Sequence, residues 1–340
     1  MILSHNRQHC LRKTLAFYQA LNIRLLVLDN SPSPLDGKFI PENCSYLNID
    51  EPFAKRSAIA GSLVKTPYTI IGADDEIYLP SSLSKMLDFL EANPDYVAVG
   101  GYALAVWEYG PVIAASWAYP RTFGYHNDES EPFDRISKHT GNGISPLTSF
   151  FTCNLTRTWA AQECLTMYAK APILATDAIS VLTICGAGKS KYLNLVYWIR
   201  NWNQSPRSHS GWDRRKFLHE WWADTENDSK ARQFATELEQ IYKKFTDSPT
   251  FSSSWALIIK SDETLQKRIP PVKAFIRTVG EIRAMKSLKY QIKSILIPRK
   301  LPPTIGLVSL HMREKGIFLP EKEIQSAAEI VASLLPYESW

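Results

Sequence analysis

Apolar residues recur along the first thirty positions with two different periods. Leu11, Leu15 and Tyr18 are spaced by four and three residues, which places them on one face of a predicted helix. The run at 23–28, apolar except for Arg24, follows as a predicted buried strand, and it ends at the turn formers of positions 29–32. A helix that leads into a buried strand is a building unit of α/β sheets.

The alternation continues through the next seventy residues. The pattern predicts a helix over 53–64, a strand over 68–71, a helix around 83–90 and a strand over 96–99. Strands that alternate with helices at this spacing indicate an α/β fold, with a mainly parallel but mixed sheet flanked by helices.

Three consecutive carboxylates, Asp74, Asp75 and Glu76, follow the predicted strand at 68–71. Open α/β sheets bind ligands at the carboxyl ends of their strands. Crowded carboxylates repel one another unless a cation neutralises them, and Mg²⁺ is commonly held by one or two carboxylates together with substrate phosphates. The triplet therefore predicts a site for a divalent metal, Mn²⁺ or Mg²⁺. A solvated acidic turn that caps the next helix is the structural alternative.

Composition narrows the class of protein. A chain of 340 residues that is 45% hydrophobic and 21% charged is typical of a globular protein with one large domain or two. Its five cysteines are widely spaced and lack metal-ligand spacing, which indicates a reducing compartment. Neither a transmembrane run nor a signal peptide is recognised in the sequence, so we expect a cytoplasmic protein. A net charge of +5 is too small to predict a nucleic-acid partner.

The chain changes character near residue 210. We predict a main domain over 1–210, with halves at about 1–100 and 101–210, and a helical, basic C-terminal extension over 211–340. Residues 266–300 hold ten Lys or Arg and one acid, a net charge of +9 for that segment. Within it, 277–300 includes a basic amphipathic pattern, which either contacts an anionic membrane at the inner face of the cell or packs on the main domain.

Three segments resemble the GT-A fold nucleotide-sugar glycosyltransferases, particularly the inverting family 2. Residues 2–7, Ile-Leu-Ser-His-Asn-Arg, resemble the family's first strand and its loop. Residues 27–31, Val-Leu-Asp-Asn-Ser, resemble the second strand with its base-recognising Asp, and 73–76 resembles the Asp-any-Asp element that holds metal and diphosphate. Glu76 replaces the more usual third Asp. The resemblance implies sugar transfer from a nucleotide-sugar donor, with a UDP-sugar favoured, to a glycan or lipid-linked acceptor hydroxyl.

The resemblance also implies the roles of individual residues. The donor-binding set is Leu3, Ser4, His5, Arg7, Asp29, Lys55, Arg56, Asp74 and Asp75. In this set, Asp29 accepts from the base, and Lys55 and Arg56 neutralise the diphosphate, with a solvated helix face as the alternative for both. Glu76 is expected to ligate the metal directly, while Asp74 supports the ribose or a metal-bound water and is the other expected metal residue.

An inverting transfer also needs a base that removes the proton from the acceptor hydroxyl. Asp177 is the candidate, because it opens a predicted helix at the place where family 2 enzymes carry their base. A helix cap is the structural alternative for Asp177. Asp134 and Asp128, in the acidic stretch 127–134, are reserve candidates.

Acceptor recognition is expected between Tyr102 and Thr158, where aromatic residues accumulate and regular periodicity fails. We expect most of these aromatic side chains to pack in the core. Arg200 and His209 are candidates for closing over the diphosphate. A non-catalytic nucleotide-sugar or glycan-binding relic of the same fold is the alternative to an enzyme.

Overall fold

The first three strands form a parallel sheet that the two first helices help to cover. A computed structural model describes residues 1–109, 112–119, 122–141, 153–171, 173–201, 218–223 and 228–267. Strands β1 (Ile2–Ser4), β2 (Leu25–Asp29) and β3 (Cys44–Asn48) lie side by side in the order β1–β2–β3. Helix α1 (Gln8–Tyr18) connects β1 to β2, and α2 (Phe53–Leu63) follows β3.

A second, mixed sheet continues from the first. Its central path runs in the order β4 (Tyr68–Thr69), β9 (Leu155–Arg157), β6 (Tyr96–Tyr109), β10 (Lys189–Asn201) and β5 (Glu76–Tyr78). β7 (Val112–Trp117) pairs with β6, and β8 (His126–Asn127) pairs with β10. β6 and β10 are parallel, whereas the remaining pairs of this sheet are antiparallel. A parallel bridge between Ile2 and Gly72 links the two sheets.

Seven more helices pack around the strands in the described part of the chain. They are α3 (Pro80–Ala92), α4 (Pro132–Gly141), α5 (Thr158–Tyr168), α6 (Thr176–Ala187), α7 (Leu218–Ala223), α8 (Asp228–Tyr242) and α9 (Phe251–Lys267). The predicted α/β fold, a mixed sheet flanked by helices, is therefore confirmed. No helix in the ranges that the structure describes is long and apolar enough to cross a membrane.

Two hydrophobic clusters hold these layers together. One lies between the strands and the helices α1 and α3, and its centre includes Leu11, Leu15 and Met86, all fully buried. The other joins α4, α5 and α6 to the helices after residue 210, where Leu218 and Leu238 are fully buried. The described helices of the predicted extension thus share a core with the main domain, while the boundary near residue 210 remains a prediction.

The local predictions succeed where one face of an element is buried. Helix α1 buries the predicted face at Leu11, Leu15 and Tyr18, and α3 (Pro80–Ala92) includes the helix predicted around 83–90. The predicted strand at 68–71 shortens to Tyr68–Thr69, and the acidic triplet is not a simple turn because Glu76 begins β5. The basic amphipathic segment at 277–300 and His209 lie outside the described residues.

Close packing between β6, β10 and Asn154 depends on a glycine in β6. A β-carbon on Gly100 would lie 2.5 Å from both Asn154 Oδ1 and a ring carbon of Tyr192. That space lets the buried Asn154 Oδ1 accept hydrogen bonds from the hydroxyls of Tyr192 (3.1 Å) and Tyr197 (3.0 Å). Because these groups are buried, their mutual hydrogen bonds avoid the cost of unsatisfied polar atoms.

Candidate functional site

The ends of the first two strands bring the first predicted site residues together. Ser4 ends β1 and Asp29 ends β2, and the two residues are register partners in the parallel pair. Both are buried, at 1% and 0% exposure. The edge of the sheet therefore presents a hydroxyl and a carboxylate at the position where open α/β sheets bind ligands.

Arg56 joins the ends of β1 and β2 through hydrogen bonds to their backbone. Its guanidinium donates to the carbonyl oxygens of Ser4 (2.5 Å) and Leu28 (3.0 Å), and its Nε donates to that of Glu51 (3.0 Å). The side chain is buried rather than a solvated helix face. Arg56 therefore shapes the strand ends through their backbone, which is a different contribution from the direct diphosphate contact that we predicted from the sequence.

The carboxylate of Asp29 is fixed by its neighbours. Oδ1 accepts from the backbone N–H (3.1 Å) and hydroxyl (2.7 Å) of Ser31. Oδ2 accepts from the hydroxyl of Tyr46 at 2.9 Å and, more weakly, from Gln8 Nε2 at 3.4 Å. A carboxylate with this many donors is held in one orientation, while its recognition of a base stays a prediction.

Asp74 is fixed on one side and open to a cation on the other. Its Oδ2 accepts from the Ser4 hydroxyl at 2.7 Å, and its backbone carbonyl accepts from the Thr14 hydroxyl at 2.7 Å. Its Oδ1 is buried and accepts no hydrogen bond in the described part of the chain. Burial raises the pKa of Asp74 to about 7, even though the Arg7 guanidinium and the Ser4 hydroxyl act in the opposite direction.

Arg7 supplies the cation that faces the first two carboxylates. Its Nη1 lies 3.2 Å from Asp74 Oδ1, and its Nη2 pairs with Asp75 Oδ2. Burial opposes the charged guanidinium, but the two carboxylates outweigh burial and raise the pKa of Arg7. The preceding residue, Asn6, has a φ of 54°, a left-handed conformation that Asn tolerates better than most residues, and this bend precedes Arg7 at the start of α1.

The third carboxylate turns toward β10. Glu76 Oε2 accepts from the backbone N–H of Ala73 and from the Tyr78 hydroxyl, each at 3.1 Å, and Oε1 lies 3.6 Å from Arg200 Nε. Glu76 and Arg200 are register partners in the antiparallel pair of β5 and β10. Burial raises the pKa of Glu76, and Arg200 offsets only part of that effect.

Asp177 lies within electrostatic reach of the same arginine. It is the second residue of α6, whose cap position is Ala175, so the structure does not make Asp177 the residue that caps the helix. Burial raises the pKa of Asp177 to about 7, and the charge of Arg200 opposes this rise. A carboxylate with a pKa near neutrality suits a general base at physiological pH.

The donor set of this site fits a divalent cation in chemistry. Asp74 offers a hard, buried oxygen without a hydrogen bond, next to a second carboxylate on Asp75. Within the described residues, no group of three or more His, Cys, Asp or Glu side chains is arranged to hold a metal by itself. Mg²⁺ needs only one or two protein carboxylates when substrate phosphates complete its shell. Asp74 and Asp75 therefore fit such an ion better than Glu76, whose oxygens face Tyr78 and Arg200.

Comparisons with known proteins assign the chain to no family. No protein-family model matches it, and no curated protein matches its sequence. Among solved structures, TarS 1–349 from S. aureus in complex with UDP-GlcNAc is 11% identical, with a TM-score of 0.42, over 78% of this chain and 90% of that one. The same protein in complex with UDP gives 11% identity, a TM-score of 0.41 and coverage of 78% and 89%.

The other predicted residues fall into two groups. Leu3 and His5 lie near the strand ends, where Leu3 is the register partner of Leu28 and a His5 ring nitrogen lies 3.0 Å from the Asn30 carbonyl. Lys55 is exposed and pairs with Glu51 at 3.1 Å, a surface contact within one turn of helix.

The reserve candidates for the catalytic base, Asp128 and Asp134, lie next to β8 and at the start of α4. Asp128 is exposed and pairs with Lys138 at 3.0 Å, next to the start of β10. Asp134 lies in the first turn of α4, where its neighbour Arg135 donates to carbonyls at the C-terminal end of α6. Asp177 lies at the other end of α6, about 14 Å away at 1.5 Å per residue. Asp177 therefore stays the candidate base, and its role is a prediction.

Several residues that shape the site gave no signal in the sequence. Thr14 and Tyr18 lie on the buried face of α1 and read there as core residues, yet Thr14 donates to the Asp74 carbonyl and the Tyr18 hydroxyl accepts from the Tyr78 N–H at 2.6 Å. Tyr119 accepts from Arg200 and stacks on Trp198 at 5.6 Å. Their roles depend on partners at least sixty residues distant, which no local pattern encodes.

Proposed function

We propose that this protein is a glycosyltransferase of GT-A fold that moves a sugar from a nucleotide-sugar donor to the hydroxyl of a glycan or lipid-linked acceptor. One observation carries the proposal. Ser4 lies next to Asp29 in the strand register and bonds to Asp74, and Asp74 and Asp75 share the Arg7 cation. Asp177, with a near-neutral pKa, is linked to them through Arg200, which also faces Glu76. These are the groups that recognise a base, neutralise a diphosphate and accept a proton.

The donor would bind across the ends of β1 and β2. Asp29 would accept from the imino N–H of the base, which favours bases that carry such a proton and includes the uracil of a UDP-sugar. Leu3, Ser4 and His5 would line the same pocket, and Arg7 would reach the diphosphate, because a guanidinium fork binds phosphate oxygens in pairs.

A divalent ion, Mn²⁺ or Mg²⁺, is part of this proposal. Asp74 and Asp75 would hold it, with Glu76 as the further ligand that the family resemblance implies. When bound, it would neutralise charge on the departing diphosphate.

The reaction proposed is a single displacement with inversion. The acceptor oxygen forms a bond to the anomeric carbon, the bond from that carbon to the diphosphate oxygen breaks, and the electron pair leaves with the nucleoside diphosphate. Asp177 takes the proton of the attacking hydroxyl. Arg200, which contacts Glu76 and Tyr119, would keep a positive charge near both the acidic triplet and Asp177.

A non-catalytic binding protein is the second candidate. It is favoured by the charge balance of the acidic triplet, which Arg7 and Arg200 already compensate in part without a metal. Such a protein would bind a nucleotide-sugar or glycan but release no sugar.

The membrane contact through 277–300 is also a proposal, because a lipid-linked acceptor would place the enzyme at the inner face of a membrane. Co-sedimentation with anionic vesicles, with and without residues 277–340, tests it. Equal sedimentation of both forms would contradict it.

The test of the main proposal is donor binding and slow donor hydrolysis, measured with UDP-, GDP-, dTDP- and CMP-sugars in Mn²⁺ and in EDTA. We expect one donor to bind and to be hydrolysed with metal, and Asp74→Asn to weaken both. Asp88→Asn, which replaces an acidic residue on α3 outside the site, is the matched control. Binding without any hydrolysis would favour the second candidate. If folded protein binds none of these donors, the transferase is rejected and only a glycan-binding form of the second candidate is left.

A further inference from the structure

The ion pair between Arg7 and the acidic triplet is close but incompletely bonded. Arg7 Nη1 is 3.2 Å from Asp74 Oδ1, and the side chains are 13% and 3% exposed. Yet Asp74 Oδ1 accepts no hydrogen bond, and Arg7 Nε, also buried, donates none within the described residues. Two buried charges therefore neutralise each other while each keeps an unused hydrogen-bonding position, which is a costly arrangement for a pair that serves only stability.

Hydrogen bonds hold Asp74, on the other side of this pair, in place. Ser4 fixes the second oxygen of Asp74, and Thr14 fixes its backbone. Arg7, by contrast, is a long side chain at the start of α1, directly after the left-handed Asn6. If one partner moves, it is the arginine.

A guanidinium and a divalent ion cannot both occupy this place at low cost. The single charge of the guanidinium and the double charge of the ion, a few ångströms apart, would repel strongly in a site this buried. A diphosphate removes the conflict, because it offers Arg7 a new anionic partner whose paired oxygens match the guanidinium fork.

We propose that Arg7 and a divalent cation are alternative partners of Asp74 and Asp75, so that the cation binds tightly only together with a nucleoside diphosphate. This inference rests on the proposed function for its nucleotide half. Coupling between two ligands is reciprocal, and such coupling typically changes affinity by about 5- to 150-fold.

The experiment measures Mn²⁺ affinity from the electron paramagnetic resonance signal of the free ion, without nucleotide and with UDP, GDP or dTDP. It compares the full-length wild type with Arg7→Gln, which keeps a polar side chain but removes the charge. Arg12→Gln is the matched control, because Arg12 lies on the same helix and stacks on Phe39 at 4.4 Å, away from the acidic residues.

We expect Arg7→Gln to bind Mn²⁺ without nucleotide about 5- to 150-fold more tightly than the wild type, and to lose most of the gain that a nucleotide gives the wild type. Arg12→Gln should match the wild type in both. Equal or weaker Mn²⁺ binding by folded Arg7→Gln would overturn the inference, as would tight Mn²⁺ binding by the wild type alone.

The two proposals fail in different ways. If no nucleotide binds to the wild type, the proposed function fails, whereas the nucleotide-free comparison still decides whether Arg7 competes with Mn²⁺. If Arg7→Gln does not fold, as judged by its thermal melting, Arg7→Lys replaces it. Lysine keeps the charge but cannot contact both carboxylates through a fork, so a smaller gain in Mn²⁺ affinity is expected, and no gain would overturn the inference.

Discussion

The two ends of β10 carry similar charged pairs in opposite surroundings. At the start of the strand, Lys189 pairs with Asp95 at 2.6 Å, and the side chains are 30% and 53% exposed. At its other end, Arg200 faces Glu76, which is 5% exposed. The hydrogen bond from Lys189 lowers the pKa of Asp95, whereas burial raises that of Glu76. Both cations lower the pKa of the carboxylate that they face, but at the buried end burial outweighs the cation.

The difference teaches where to look for chemistry. An exposed ion pair changes the stability of the folded protein little, because water competes for both charged groups. At the buried end, Arg200 pairs with Glu76, and its charge also lowers the pKa of Asp177. Burial outweighs that effect, so the pKa of Asp177 still rises to about 7. A region that keeps several carboxylates out of water without fully compensating their charge is a good candidate for function, since stability alone would not favour it.

The largest expected effect comes from removing the proposed base. Asp177→Asn should lower turnover by about 10²- to 10⁴-fold, because the acceptor hydroxyl loses the group that takes its proton. Donor affinity should change by less than about twofold, since the base contacts the acceptor side. The measurement is release of the nucleoside diphosphate with saturating donor and Mn²⁺.

The control for this prediction lies at the other end of β10. Asp95→Asn removes a carboxylate of the exposed pair and should leave turnover unchanged. In the wild type, turnover should fall as pH drops below about 7, because the carboxylate with that pKa then takes up a proton. A turnover of Asp177→Asn close to that of the wild type would remove Asp177 from the mechanism.

The buried pair should matter to stability far more than the exposed one. Arg200→Met leaves Glu76 buried without its cation, and we expect a loss of about 2–3 kcal/mol in the free energy of unfolding, somewhat below the value for fully buried pairs because Arg200 is 28% exposed. Urea unfolding at pH 7.5 measures it.

The double variant separates charge from packing. Arg200→Met combined with Glu76→Gln removes both charges, so its loss should be smaller than that of Arg200→Met alone. A double variant as unstable as the sum of the two single variants would show that the partners do not interact.

The Asp177 carboxylate should lower the free energy of unfolding at neutral pH. Burial raises its pKa in the folded chain from the ordinary value for Asp, about 3.9, to about 7, so stability falls as pH rises from about 4 to 7 and then levels off. Asp177→Asn should therefore be more stable than the wild type by about 1–3 kcal/mol at pH 8, with little gain at pH 4.

Urea unfolding at the two pH values tests this prediction. Asp128→Asn is the control, because its pKa is lowered by the hydrogen bond from Lys138 and its loss should give no gain in stability at pH 8. A destabilised Asp177→Asn at pH 8 would mean that the carboxylate has a stabilising structural partner.

The sequence predicts those parts of this molecule that depend on one segment at a time. The buried face of α1 and the strand that ends at Asp29 follow from local periodicity, and the order of the three motif segments anticipates that Ser4, Asp29 and Asp74 meet. Helix α5 was not predicted, although Ala160, Cys164 and Tyr168 lie at helical spacing on its buried face.

The parts that could not be predicted depend on partners from distant segments. Arg56 reads as a surface or phosphate-binding cation, but it is buried because two carbonyl groups at the strand ends accept its hydrogen bonds. Glu76 reads as a metal ligand next to Asp74, which stays a prediction, whereas its contact with Arg200 arises from the pairing of β5 with β10. No property of residues 50–80 alone determines either contact.

The smallest expected effect belongs to the exposed end of β10. Lys189→Met should leave the free energy of unfolding nearly unchanged, since water replaces its contact with Asp95. That small loss should disappear in 1 M NaCl, where salt screens exposed charges over about 3 Å, whereas the loss in Arg200→Met should persist because its partner is buried. Urea unfolding of both variants at low and high salt gives the comparison directly. Equal salt sensitivity at the two ends would mean that the buried end is open to solvent ions, and the contrast between the ends would then not mark the site.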